Sequence, residues 1–97
     1  MPRLIITEQA VEGMERCRRF LQEKNPEAAC TAVMAIQQTL AWLENHPFMG
    51  KPLDDYPTLR EVIIPHGDSG YVGLYRYDDP SETVFLLAFR HQKEAGY

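Results

Sequence analysis

The sequence predicts an α+β fold: an N-terminal strand, an antiparallel helical hairpin, then a three-stranded antiparallel meander. Three features predict it. A β-branched run, Arg3 to Thr7, precedes any helical pattern. Two amphipathic helical patterns follow with almost no chain between them. The remainder breaks into three extended runs separated by turn residues.

Thr7 closes the first strand and is placed to cap a helix, with Glu8 in the first turn where the helix dipole favours a carboxylate. Val11, Met14, Cys17 and Leu21 then recur at helical spacing with Phe20 alongside, and the charged residues fall largely on the other faces. This helix should stop near Lys24. Asn25-Pro26 restarts the chain as an N-cap followed by proline at the first helical position. Ala29, Val33, Ile36, Leu40 and Leu43 carry the clearest periodicity of the chain, which runs to about Asn45, where Pro47 forbids continuation. About twenty residues at 1.5 Å each give a helix roughly 30 Å long. The near-absence of a linker makes the two helices an antiparallel hairpin. Small residues (Ala28, Ala32, Ala35, Ala41) flank the stripe and let another element approach closely.

His46 to Pro57 is a loop punctuated by proline and glycine. Three strands follow: Arg60–Ile64, Tyr71–Tyr77 and Thr83–Phe89. The second alternates, with Val72, Leu74 and Arg76 on one face and Tyr71, Tyr75 and Tyr77 on the other. The third is the most apolar and should be buried on both faces or paired on both edges. HGDSG and DDPSE supply the turns, and the helix pair should cover one face of an antiparallel sheet, leaving the other free.

The 97 residues read as one domain, 1–97, with 44% apolar and 25% charged content, a globular composition rather than a disordered one. No stretch approaches the ~18 apolar residues of a membrane span. MPRLIIT has one Arg and too short an apolar run for a secretory signal, so the expected location is the cytoplasm and no membrane partner is expected. Cys17 and Cys30 are expected as reduced, buried thiols; without CxxC spacing or a His at ligand spacing, no metal or cofactor is expected. The net charge is −4, and no block forms a basic arm, which argues against sequence-specific nucleic-acid binding.

The order of elements, the LREVIIP segment, the GYVGLYRY strand and the ending RHQKEAGY resemble the RelE/ParE superfamily of bacterial type II toxins over essentially the whole chain. The ending is most like the ParE-like plasmid-stabilisation members. The resemblance implies one fold with two activities. RelE-like members cut mRNA in the ribosome, whereas ParE-like members bind DNA gyrase and block replication without hydrolytic chemistry. Either is held inactive by a cognate antitoxin whose C-terminal segment wraps the toxin, so a dimer or a hetero-oligomer with antitoxin is expected. RNA cleavage by a 2′-hydroxyl needs a base, an acid and cations where the phosphorane charge develops. RelE-like nucleases supply the cations from the sheet, notably an Arg after the Tyr of a GYR-type motif. Here the matching stretch is Gly70-Tyr71-Val72, and the preceding strand reads Val62-Ile63-Ile64-Pro65. The resemblance therefore points to the ParE-like activity, with a RelE-like endonuclease and a non-toxic antitoxin-binding domain as alternatives.

The candidate site residues are Arg60, Arg76, Arg90, His91, Lys93, Tyr97 and Trp42, read as target- or partner-binding. His91 and Tyr97 are either a base–acid pair or part of a solvated strand end that touches a partner. Arg60 is a structural ion pair or a target contact. Arg76, mid-strand, needs a partner and meets Glu61 or marks a functional face. His66 is a turn residue. Trp42, off the main stripe, packs at the core edge or contacts the antitoxin.

Overall fold

The computed structural model describes residues 3–94, 96 and 97. Met1 and Pro2 of MPRLIIT and Ala95 of RHQKEAGY lie outside the described residues. The elements run β1 (Arg3–Ile6), α1 (Glu8–Lys24), α2 (Pro26–Asn45), β2 (Lys51–Pro52), β3 (Leu59–His66), β4 (Ser69–Asp78) and β5 (Thr83–His91). They form one sheet in the order β1-β5-β4-β3-β2. The meander β3-β4-β5 is antiparallel as read, and β5 pairs on both edges. Two features differ. β1 joins β5 in parallel, so the sheet is mixed. A two-residue strand, β2, grows from the predicted loop and pairs with β3.

The caps follow the sequence. Thr7 Oγ1 accepts from the Ala10 N–H at 3.4 Å, and Asn25 Oδ1 accepts from the Ala28 N–H at 3.2 Å with Pro26 just behind it. Thr7 also ties α1 to the sheet, because its hydroxyl donates to the Leu86 carbonyl at 2.8 Å. The hairpin between β3 and β4 turns through Gly67 at φ +62°, a left-handed conformation open to glycine.

Register sets the two faces. Arg60, Tyr75 and Leu86 form one row, Val62, Gly73 and Phe89 the next, and Ile64, Tyr71 and His91 a third. These rows lie under the helices, where α1 packs along β5 and α2 reaches β3. Ala32, Ile36, Leu40 and Leu43 of α2 meet Val62, Ile64, Tyr75 and Leu86 in a continuous core. On the opposite face the rows are Ile63–Val72–Arg90, Glu61–Leu74–Ala88 and Leu59–Arg76–Phe85. Among the described residues no helix covers this face.

The helix stripes need correction. In α2, Val33 is exposed and Ala32 is buried in its place. In α1, Val11 and Phe20 are exposed, and the face against the sheet is Ala10, Gly13 and Cys17. The reason is distance: a Cβ on Gly13 would stand 2.2 Å from the Phe89 carbonyl oxygen, so α1 lies directly on β5 and only small residues fit. Cys17 is buried as expected, but Cys30 is exposed on α2.

The segment before β2 is organised by Tyr75, which is fully buried. Its hydroxyl accepts from the Gly50 N–H at 2.8 Å and donates to the Pro47 carbonyl at 2.8 Å, so a buried phenol has both partners that burial demands.

Candidate functional site

β5 delivers alternate side chains of the ending to opposite faces. Phe89 and His91 point under the helices, and Arg90 points to the helix-free face. His91 stands edge-on to Tyr71, ring centroids 5.5 Å apart. Its Nδ1 accepts the Lys93 N–H at 3.1 Å, so the neutral ring carries its proton on Nε2, which faces Ser69 Oγ at 3.0 Å. Both ring nitrogens are thus engaged within the chain.

Tyr97 returns to the other face. Its hydroxyl donates to Glu61 Oε2 at 2.6 Å, and its ring lies over the Arg90 guanidinium at 5.0 Å. Arg90 Nη1 donates to the carbonyls of His91, Gln92 and Glu94 at 3.1, 3.2 and 3.0 Å. Arg90 therefore holds the turn after β5, and Tyr97 is pinned at Glu61 of β3, two strands across from β5 in the row of Leu74 and Ala88. Val72 and Ala88 are only 3% exposed although no helix covers them. Burial, then the Glu61 carboxylate, pushes the Tyr97 hydroxyl well above the ordinary phenol value, against the opposing charge of Arg90. A base–acid pair of His91 and Tyr97 is not formed: the sheet separates them.

The other nominated residues scatter. Among the described residues Arg60 forms no ion pair, yet it is engaged: Nη1 donates to the carbonyls of Gly50 at 2.7 Å and Phe48 at 3.3 Å, and the guanidinium stacks on the Phe48 ring. Arg76 does not meet Glu61. It lies over the Phe85 ring at 4.9 Å and pairs with Asp78 at 3.7 Å, two positions along its own strand. Trp42 is 52% exposed on α2, outside the core edge. His66 ends β3 rather than sitting in the turn, and its Nε2 faces Thr31 Oγ1 of α2 at 2.9 Å. Lys93 lies in the turn after β5. Arg90, His91, Lys93 and Tyr97 are thus brought to one end of the molecule, while Arg60, Arg76 and Trp42 are not part of that cluster.

Two carboxylates that hold this end were not linked to it by the sequence: Glu61 was offered there only as a partner for Arg76, and Glu94 had no role. Glu61 receives Tyr97, and only the fold brings them together across 36 positions. Glu94 Oε1 accepts the His91 N–H at 3.1 Å and the Cys17 thiol at 3.8 Å, while Oε2 pairs with Arg16 at 2.9 Å. Burial, with the Glu94 charge beside it, pushes the Cys17 thiol up to about 11, an unreactive value. For Glu94 itself burial acts upward, but the His91 N–H and then the Arg16 guanidinium outweigh it and hold the carboxyl below the ordinary Glu range. A carboxyl lowered in the folded state stabilises it above the unfolded-state value, and that contribution is lost as pH falls through the folded value. The turn after β5 is therefore expected to loosen in acid. The protection factor of the His91 amide, its intrinsic exchange rate divided by the observed one, should fall as pH falls through the folded Glu94 value, and Glu94→Gln should remove that pH dependence, as NMR hydrogen exchange would record.

Among the described residues no group of His, Cys, Asp and Glu is placed to hold a metal ion, and no helix is long and apolar enough to cross a membrane. Residues 4–96 match the family profile described as the ParE toxin of type II toxin–antitoxin system, parDE. The chain belongs to the ParE toxin family. The matched residues take in both helices, the strands β2 to β5 and the ending as far as Gly96. Among solved structures, a chain of the toxin–antitoxin complex RelBE2 from Mycobacterium tuberculosis is similar, at 23% identity and a TM-score of 0.64, over 95% of this chain and 100% of that one. At that identity the likeness shows the shared fold. No curated protein sequence matches the chain.

Proposed function

We propose that this ParE-family toxin acts by binding DNA gyrase and blocking replication, and that a cognate antitoxin neutralises it. The observation that carries the reading is the engagement of His91. A 2′-hydroxyl nuclease needs a free base nitrogen, an acid on the same side, and cations on the sheet. His91 has Nδ1 occupied by the Lys93 N–H and Nε2 at Ser69, and Tyr97 lies on the opposite face with a hydroxyl committed to Glu61. Of the sheet cations, Arg90 is spent on the carbonyls of the turn, Arg76 on Asp78 and Phe85, and Arg60 on the loop before β2. This arrangement favours a binding surface over a catalytic centre, which agrees with the ParE-like members the sequence resembles.

The direct test is a supercoiling assay with purified gyrase, in which this reading expects inhibition that added antitoxin relieves. Unimpaired supercoiling at saturating toxin would remove the gyrase reading. His91→Ala gives a second arm. It is expected to change growth inhibition by less than about tenfold, whereas loss of a general acid or base costs ~10²–10⁴ in rate. Growth curves combined with mRNA cleavage mapping separate the two outcomes.

A further inference from the structure

The second half of α1, the tip of the β3–β4 hairpin and the turn after β5 enclose an open groove of about 930 Å³. Its floor is Tyr71 and Cys17, both buried. One bank is Phe20, which is 61% exposed although it is the largest apolar side chain of α1. Lys24 sits above that bank, its Nζ 5.1 Å from the centre of the Phe20 ring, and Lys93 stands on the bank formed by the turn after β5. Among the described residues neither lysine has a carboxylate partner, whereas the third cation of the lining, Arg16, is held by Glu94. The lining carries three cations against two carboxylates, Asp68 and Glu94, in a chain whose net charge is −4.

We propose that this groove seats an acidic amphipathic segment of the antitoxin, with an apolar side chain lodged between Phe20 and Tyr71 and carboxylates facing Lys24 and Lys93. The proposal rests on the toxin–antitoxin reading, which supplies the partner. Charge complementarity selects an acidic occupant, because both unpaired cations of the groove stand at its rim, where opposite charge steers association and fixes register. The two carboxylates in the lining favour a polypeptide over a phosphate backbone. A nucleic acid is gripped by a run of cations that releases counterions, and here Asp68 and Glu94 interrupt the lining. An apolar anchor in a desolvated pocket ringed by polar contacts is instead how protein interfaces concentrate their binding energy.

The test is isothermal titration of the purified protein with the antitoxin encoded beside it, for the native chain, for K24E/K93E, for Phe20→Ala, and for Lys51→Glu on the edge strand outside the groove. All four side chains are exposed, and equal melting temperatures would show that each variant is folded. The groove assignment expects K24E/K93E and Phe20→Ala each to weaken binding at least about tenfold, with Lys51→Glu unchanged and with the salt dependence reduced in the double variant. Tight binding by the native chain that both groove variants retain would overturn the groove and leave the antitoxin partner standing. No binding by the native chain removes the partner and the groove together. A single-stranded RNA oligonucleotide run in parallel gives the remaining outcome: RNA binding lost in K24E/K93E while antitoxin binding persists would reassign the groove to nucleic acid.

Discussion

Ile36→Asp is expected to remove a large part of the stability of the fold. Ile36 is 9% exposed at the middle of α2 and belongs to the core cluster with Leu40, Val62 and Ile64. Every residue of that cluster is apolar apart from the tyrosine hydroxyls and the Cys17 thiol, so no cation is there to pair with a new carboxylate. An uncompensated buried charge costs ~3–5 kcal/mol, against a total stability of ~5–15 kcal/mol for a domain of this kind. Circular dichroism should show a melting temperature lowered by more than about 10 °C, and toxicity should fall with it. Val33→Asp is the control. Val33 has the same chemistry at a neighbouring position but is exposed, so the change is expected to stay within about 0.5 kcal/mol. An unchanged melting temperature for Ile36→Asp would mean that α2 does not bury the face assigned to it.

Gly13→Ala sets two effects of opposite sign against each other. In an open helix the change gains about 1 kcal/mol, because alanine restricts the unfolded chain more and suits the helix better. Here the added Cβ would stand 2.2 Å from the Phe89 carbonyl oxygen and 3.1 Å from its carbon. Those atoms are backbone in β5, paired with β4, and cannot swing away as a side chain could. α1 must therefore lift from the sheet, which also disturbs Cys17 and the Arg16–Glu94 pair one turn on. Overpacking of this kind costs ~1–3 kcal/mol, so the expected net result is destabilisation. Chemical denaturation should give a lower midpoint with an unchanged slope. A more stable Gly13→Ala protein would show that α1 and β5 are not in such close contact.

The parts of the fold that depend on local chemistry were legible in the sequence. Thr7 and Asn25 cap where a short oxygen side chain precedes a helical pattern, and Pro26, Gly67 and Pro47 punctuate the chain for reasons of backbone geometry alone. The faces of the helices were less so. Val33 and Phe20 were assigned to the core by hydrophobicity, but the sheet approaches so closely that Ala32 and Gly13 occupy the contact instead. The parallel pairing of β1 with β5 joins residues some eighty positions apart, and no local signal encodes it. The same holds for the candidate site. The residue types at the ending were readable, and they do gather at one end. Their partners were not: Glu61 reaches Tyr97, and Arg16 reaches Glu94, only once the strands are in register. His91 and Tyr97 look like an acid–base pair in a linear reading because alternation along β5 and the return of the tail to the other face are three-dimensional facts.

That separation of His91 from Tyr97 explains why so apolar a strand as β5 ends in charge. Arg90 fixes the turn, Glu94 anchors it to α1, and Tyr97 closes over the face that the helices leave bare. The charged ending is a set of internal fasteners for a surface, with Lys93 left over at the rim of a groove.

On the gyrase reading proposed above, the chain stops replication by binding rather than translation by cutting RNA. The most direct measurement is pulse labelling of growing cells after induction, with thymidine and leucine incorporation followed in the same culture. Thymidine incorporation is expected to fall first while leucine incorporation continues, and co-expression of the antitoxin is expected to restore it. Early arrest of leucine incorporation, with mRNA cut at defined codons and thymidine incorporation still running, would contradict it.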